Sequence, residues 1–163
     1  MMRISVLCAL ALSPAVMAMA AEEATVWVAS PWQHVLRDTP PGPARAARLK
    51  AAANEYEPFR LIVHAGDRAL TGVTAVASSL NGRGGTIPAA NLTRYRAHYV
   101  HITEPSSRGA NPPGWYPDAL IPFVDPQTGA ELEGATFDAA PFDVAAGENA
   151  EIWVDLYVPP GTR

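Results

Sequence analysis

The chain has 163 residues, a formal net charge of −4, 48% hydrophobic residues and 17% charged ones. That is enough apolar material for one domain with a core and too much for a disordered chain. The charges are scattered, with no basic run to track a phosphate backbone, which argues against a nucleic-acid partner.

The N-terminus reads as an address. Arg3 supplies a positive start, an apolar run follows from Ile4 to Met17, and Ala18-Met19-Ala20 gives a small-x-small cleavage site. Residues 1–20 are therefore expected to be a signal peptide, leaving an exported domain over residues 21–163. The apolar run is shorter than the ~20 residues a bilayer span needs, so no membrane segment is expected after cleavage. The only cysteine, Cys8, falls inside this leader. A mature chain without cysteine has no disulfide, thiolate site or cysteine nucleophile.

Beyond residue 20, prolines occur at about twice the usual ~5% frequency and cluster with glycines. Short segments rich in Val, Ile, Tyr, Trp and Thr lie between these clusters. Such punctuation predicts short strands joined by turns, hence an all-β antiparallel sandwich of immunoglobulin or jelly-roll type. Strands are expected at 25–29, 59–65, 73–79, 94–102 and 151–158. In the last, Ile152, Val154, Leu156 and Val158 share one face, and Trp153, Asp155 and Tyr157 the other. Apolar groups on both faces imply a strand covered on both sides, or one set against another domain.

Two segments resist a simple assignment. Residues 44–53 are alanine-rich with Pro43 before them, which locally favours a helix. Residues 114–123, Gly-Trp-Tyr-Pro-Asp-Ala-Leu-Ile-Pro-Phe, read as a stiff aromatic connection rather than an ordinary polar loop. Within it Asp118 is expected to hold a turn through nearby backbone N–H groups. Trp115 and Tyr116 are expected to pack, with stacking on a glycan as the alternative. After 151–158 the chain ends in a turn, Pro-Pro-Gly-Thr-Arg, so the domain is expected to be truncated at its C-terminus.

Chemical motifs are sparse. His98 and His101 are three apart in a predicted strand, which sends them to opposite faces, whereas zinc needs three or four converging ligands. Glu55 and Glu57 flank Tyr56 without a distant carboxylate partner for glycoside hydrolysis. Ser106 and Ser107 lie in a Pro/Gly-rich loop with no nucleophile elbow. The stretch from Gly82 to Gly85 is a turn, not a phosphate cradle. No catalytic residue, metal ligand set or cofactor is assigned.

Three segments carry a resemblance. They are Leu-Lys-Ala-Ala-Ala-Asn-Glu-Tyr-Glu-Pro-Phe-Arg-Leu-Ile-Val at 49–63, Tyr-Val-His-Ile-Thr-Glu-Pro-Ser at 99–106 with the decapeptide at 114–123, and Ile-Trp-Val-Asp-Leu-Tyr-Val-Pro-Pro-Gly at 152–161. In this order they resemble the N-terminal β-sandwich domains of family 123 glycoside hydrolases and related uncharacterised bacterial proteins. The resemblance implies a strand at about 47–53 despite the helix propensity. It also implies a downstream barrel catalytic domain that cleaves N-acetyl-galactosaminides with an Asp-Glu pair lying outside this chain. The expected role is an accessory domain buttressing that barrel through Trp115, Tyr116, Asp118, Trp153 and Tyr157. The alternatives are a carbohydrate-binding module using the same aromatics and a structural interaction domain with no sugar role.

Overall fold

The computed structural model describes residues 2–7 (backbone), 24–104, 111–132 and 134–162. Residues 8–23, which include the rest of the predicted leader, and the serines at 106 and 107 lie outside the described residues. The fold is all-β and antiparallel. Its only helical turn among the described residues is a 3-10 turn at Ala89–Asn91. Among the described residues no helix is long and apolar enough to cross a membrane.

Eleven strands are described: β1 (Met2–Leu7), β2 (Thr25–Ala29), β3 (Ala46–Ala51), β4 (Glu55–His64), β5 (Leu70–Val73), β6 (Leu80–Gly82), β7 (Gly85–Ile87), β8 (Leu92–Ile102), β9 (Gly114–Pro122), β10 (Phe142–Val144) and β11 (Asn149–Val158). The central sheet has the order β2-β4-β11-β8-β9, while β1-β3, β5-β10 and β6-β7 form two-stranded pieces. The alternation in β11 explains its central place. It pairs with β4 from Asn149 opposite His64 to Val158 opposite Glu55, and with β8 over Glu151 to Leu156.

One face of this sheet is the core. Phe59, Leu61 and Val63 of β4 and Ile152, Val154, Leu156 and Val158 of β11 are buried there. They pack with Ala47 and Ala51 of β3, Leu70 and Val73 of β5, Ile87 of β7, and Phe142 and Val144 of β10. Two layers closing over aliphatic side chains make a sandwich-like arrangement, held chiefly by removal of apolar area from water.

Residues 46–51 do form a strand, as the resemblance implied and against their helix propensity. Ala47 and Ala51 are buried while Arg48 and Lys50 are exposed. Burial of alternate positions outweighs a preference of a few tenths of a kcal/mol per residue. The turn into β4 uses Asn54 at φ 66, a left-handed conformation that Asn tolerates better than most residues. Asn54 N–H donates to the Val158 carbonyl at 2.7 Å, joining this turn to the end of β11.

Two expectations are corrected. Residues 114–123 are not a connection: Gly114–Pro122 is an edge strand paired with β8, with a register shift opposite Ala97 to Tyr99. Pro117 and Pro122 are tolerated because an edge strand can leave one side of its backbone unpaired. Residues 73–79 are not a strand beyond Val73. The Ala75 carbonyl accepts from Arg94 Nη1 at 2.6 Å, so a side chain takes the place of a ladder partner.

Candidate functional site

The opposite, outer face of the central sheet is the candidate site. At one end the β2–β3 connection, residues 30–45, folds over it. Val35 and Ile62 are fully buried there beside Trp27 and Ala29. Tyr99 Oη donates to the Val35 carbonyl at 3.1 Å. Asn149 Nδ2 donates to the carbonyls of Leu36 at 2.9 Å and Thr39 at 2.7 Å, and its Oδ1 lies 2.9 Å from His64 Nδ1. Gly42 rests on the Trp27 ring, where an added Cβ would come within 2.6 Å of Cε3. Burial pushes the Tyr99 hydroxyl well above its ordinary pKa, and the Glu151 carboxylate adds to the effect.

Beneath this connection lies a buried ion pair. Arg60 Nε donates to Glu151 Oε1 at 2.7 Å and Nη2 to Oε2 at 2.5 Å. The remaining guanidinium nitrogen donates to the Ser30 carbonyl at 2.9 Å and also to that of Gln33. The bidentate geometry and two carbonyls satisfy the Arg60 head, which buried charge requires. Its residues are 91 positions apart, and both are committed to holding the 30–45 connection on the sheet.

Further along, the outer face is aromatic and partly open. Trp153 sits opposite Tyr95, and Tyr157 opposite Tyr56. The Tyr56 and Tyr157 rings pack with centroids 4.8 Å apart. Trp153 Nε1 donates to Asp155 Oδ1 at 2.7 Å, and Tyr157 Oη donates to Asn54 Oδ1 at 2.8 Å. These bonds fix the rings while leaving Tyr56 65% exposed. Desolvation raises the Tyr95 hydroxyl pKa, with Asp155 and Tyr56 adding to the shift.

A cleft of about 200 Å³ opens between the two ends, lined by Trp32, His34, Asp118, Leu120, Trp153 and the Arg60–Glu151 pair. Trp32 is 93% exposed at its rim. The sequence-predicted residues are thus divided. Asp118 and Trp153 share the cleft, and Tyr157 lies on the same face of β11 further along. Asp118 is exposed within β9 and not in a turn, which corrects its expected role.

Trp115 and Tyr116 are engaged elsewhere. The Arg37 guanidinium stacks 3.9 Å from the Trp115 ring centroid, and His101 stacks against it at 4.6 Å with planes 18° apart. Tyr116 Oη donates to the Pro112 carbonyl at 2.6 Å, and its ring meets His34 edge-on. Trp115 itself stays exposed beside these contacts. His98 packs on Phe137, away from His101. Sequence reasoning missed Trp32, Tyr56 and Tyr95 as members of this face. Strand parity from Trp153 and Tyr157 could have found the two tyrosines once register was known. Trp32, in a turn, had no such signal.

Among the described residues no group of three or more His, Cys, Asp or Glu side chains could hold a metal ion. Glu55 and Glu57 lie at the start of β4. Burial raises the Glu57 pKa, and the hydrogen bond and charge of Glu55 raise it further.

No family model and no curated protein matches the sequence. Among solved structures, the chain is similar to a family 123 glycoside hydrolase from Clostridium perfringens, analysed for the details of glycolipid glycan hydrolysis. The TM-score is 0.60 with 12% identity, over 86% of this chain and 22% of that chain. At that identity the likeness shows the fold alone. The chain spans about a fifth of that enzyme.

Proposed function

We propose that this chain is a non-catalytic accessory domain of a larger, exported glycoside hydrolase, and that its outer sheet face docks on the catalytic domain. The observation that carries the reading is the half-open aromatic surface of Tyr56, Tyr95, Trp153 and Tyr157 on the back of a sheet whose other face is already sealed. Exposed apolar area of this kind marks interaction surfaces, and fixed aromatic rings lose little freedom on contact. The fold likeness supports the enzyme context, because the matched portion is a minor part of a glycoside hydrolase. The contact residues in this reading are Trp153 and Tyr157 with Tyr56 and Tyr95; Trp115 and Tyr116 stabilise the edge.

In the full-length polypeptide, Trp153→Ala with Tyr56→Ala should uncouple the domain. Calorimetry should then resolve two separate unfolding transitions where the parent shows one. An unchanged single transition in the double variant would remove the docking reading.

The exposed Trp32 indole beside Trp153 and Asp118 favours a second reading, a binding site for a neutral saccharide. An aromatic face stacks on the apolar side of a sugar ring, while Asp118 accepts hydroxyl hydrogen bonds. A glycan panel titrated against the chain and its Trp32→Ala variant separates the two readings. Saturable binding lost in the variant supports the saccharide site, and no binding by the parent removes it.

A further inference from the structure

A second cleft, of about 350 Å³, lies apart from the aromatic face, where β10 leads into β11. Its volume falls in the range of about 300–1,000 Å³ usual for small-molecule sites. The floor is apolar, with Leu70, Val144 and Ala150 buried. The walls carry Arg37, Thr71, Arg96, Asp143 and Glu148. A bulge brings part of this wall together. Val73 sits opposite Phe142 but Leu70 opposite Val144, so Thr71 and Gly72 together span one position of β10. Asp143, at that position, accepts the Gly72 N–H through Oδ1 at 2.9 Å.

Two cations share the cleft. Arg37 is set by the β2–β3 connection, where its carbonyl accepts the Asn149 N–H at 2.7 Å. Its guanidinium rests 3.9 Å from the Trp115 ring centroid and 5.5 Å from that of Tyr99. Its ion pair with Glu148 is long, at 3.9 Å. Arg96 projects from β8 with its guanidinium 4.5 Å from the Phe142 ring centroid. Among the described residues this half-buried guanidinium makes no hydrogen bond or ion pair. Stacking engages the flat of a guanidinium and leaves its N–H edge available. Burial lowers the Arg96 pKa, the Arg37 charge lowers it further, and Asp143 opposes both. The two cations therefore lie in each other's field, and neither carboxylate of the cleft closes on Arg96.

We propose that this cleft binds one oxyanion between Arg37 and Arg96, carried as the carboxylate or the sulfate ester of a small saccharide. The N–H fork of a guanidinium matches the paired oxygens of either group. A bound anion relieves the Arg37–Arg96 repulsion and supplies the acceptor that Arg96 lacks. The remaining wall specifies what carries the charge. Asp143, Glu148 and the Thr71 hydroxyl can accept hydrogen bonds from ligand hydroxyls. The same two carboxylates repel a second negative charge. That combination selects a singly charged, hydroxylated body over a polyanion or a simple carboxylate, and the apolar floor takes the C–H side of its ring. The inference goes beyond the accessory-domain reading. It shares no residue with the docking face or with the Trp32 cleft.

The test is calorimetric titration of the chain, in low-salt buffer, with glucuronic acid, glucose 6-sulfate, glucose, acetate and glucose 6-phosphate. The expected result is saturable binding of glucuronate, of glucose 6-sulfate or of both, and the one that binds identifies the source of the oxyanion. Glucose and acetate should bind about tenfold more weakly or worse, each lacking half of the recognised chemistry. Arg96→Gln and Arg37→Gln should each weaken binding by about tenfold or more, the loss of a charge-assisted hydrogen bond. Arg96→Lys keeps the charge without the fork and should fall between; it carries the test if Arg96→Gln does not fold. Asp143→Asn should tighten glucose 6-phosphate severalfold by removing a repelling charge. No saturable binding of either monoanion would overturn the proposal. So would affinity unchanged in the arginine variants, glucose 6-phosphate binding the parent as tightly as the monoanions, or binding lost in Trp32→Ala, which would place it in the other cleft. None of these outcomes bears on whether the aromatic face docks, which keeps its own test.

Discussion

The inner and outer faces of the central sheet are built from the same strands, yet they are finished differently. On β11, Ile152, Val154, Leu156 and Val158 are sealed by a second layer of strands, while Glu151, Trp153, Asp155 and Tyr157 alternate with them on the other side. There only the Glu151 end is closed, by a connection clamped through Arg60, Asn149 and Tyr99. The remainder keeps large rings fixed by hydrogen bonds and partly open to water. A face that existed only for stability would be closed like the first or made polar. This one is pre-organised without being covered, which is what a contact surface requires.

The two faces should answer differently to substitution. The largest effect is expected at the clamp. Glu151→Ala leaves Arg60 as a buried, unpaired charge and should cost about 3–5 kcal/mol, read by urea denaturation. Replacing both partners with apolar residues should recover most of that loss. On the inner face Ile152→Ala should cost about 2–5 kcal/mol, through lost burial and a cavity. Trp32→Ala on the open rim should stay within about 0.5 kcal/mol of the parent chain. A large loss at Trp32 would show that the rim is part of the core after all.

Gly42→Ala probes how tightly the connection is held. A methyl at 2.6 Å from the Trp27 ring must displace the loop or the indole. Overpacking of this kind costs about 1–3 kcal/mol, with near-ultraviolet circular dichroism reporting the altered tryptophan.

The smallest effect is at Glu57. Its folded pKa is raised by burial and by Glu55, so the folded state binds the proton more strongly than the unfolded one. Its contribution is therefore fully present below the unfolded value of about 4.5 and is lost as pH rises through the folded one. Glu57→Gln should raise the melting temperature slightly at pH 7, and the gain should vanish below about pH 4.

Much of the inner face was legible in the sequence. Residues 25–29 and 151–158 alternate strongly enough to place their strands, and all but the last residue of 59–65 falls within the longer β4. β3 was legible only through the resemblance, because its alanines favour a helix and burial decides otherwise. The decapeptide was misread because its prolines suggest a loop until its position at a sheet edge is known. Residues 73–79 show the reverse error: Val73 and Ala75 alternate into the core, but β10 pairs no further than Val73 and none of the described strands runs alongside Ala75. The clamp was invisible, since nothing local links Arg60 to Glu151. The outer aromatic face was half visible, through Trp153 and Tyr157, and needed register to add Tyr56 and Tyr95.

The central claim is that the outer face is covered in the complete protein. Hydroxyl-radical footprinting of Tyr56, Tyr95, Trp153 and Tyr157, in this chain alone and in the full-length polypeptide, tests it most directly. The account predicts that oxidation of all four falls severalfold in the full-length protein while Trp115 changes little. Equal oxidation of the four residues in both would contradict it.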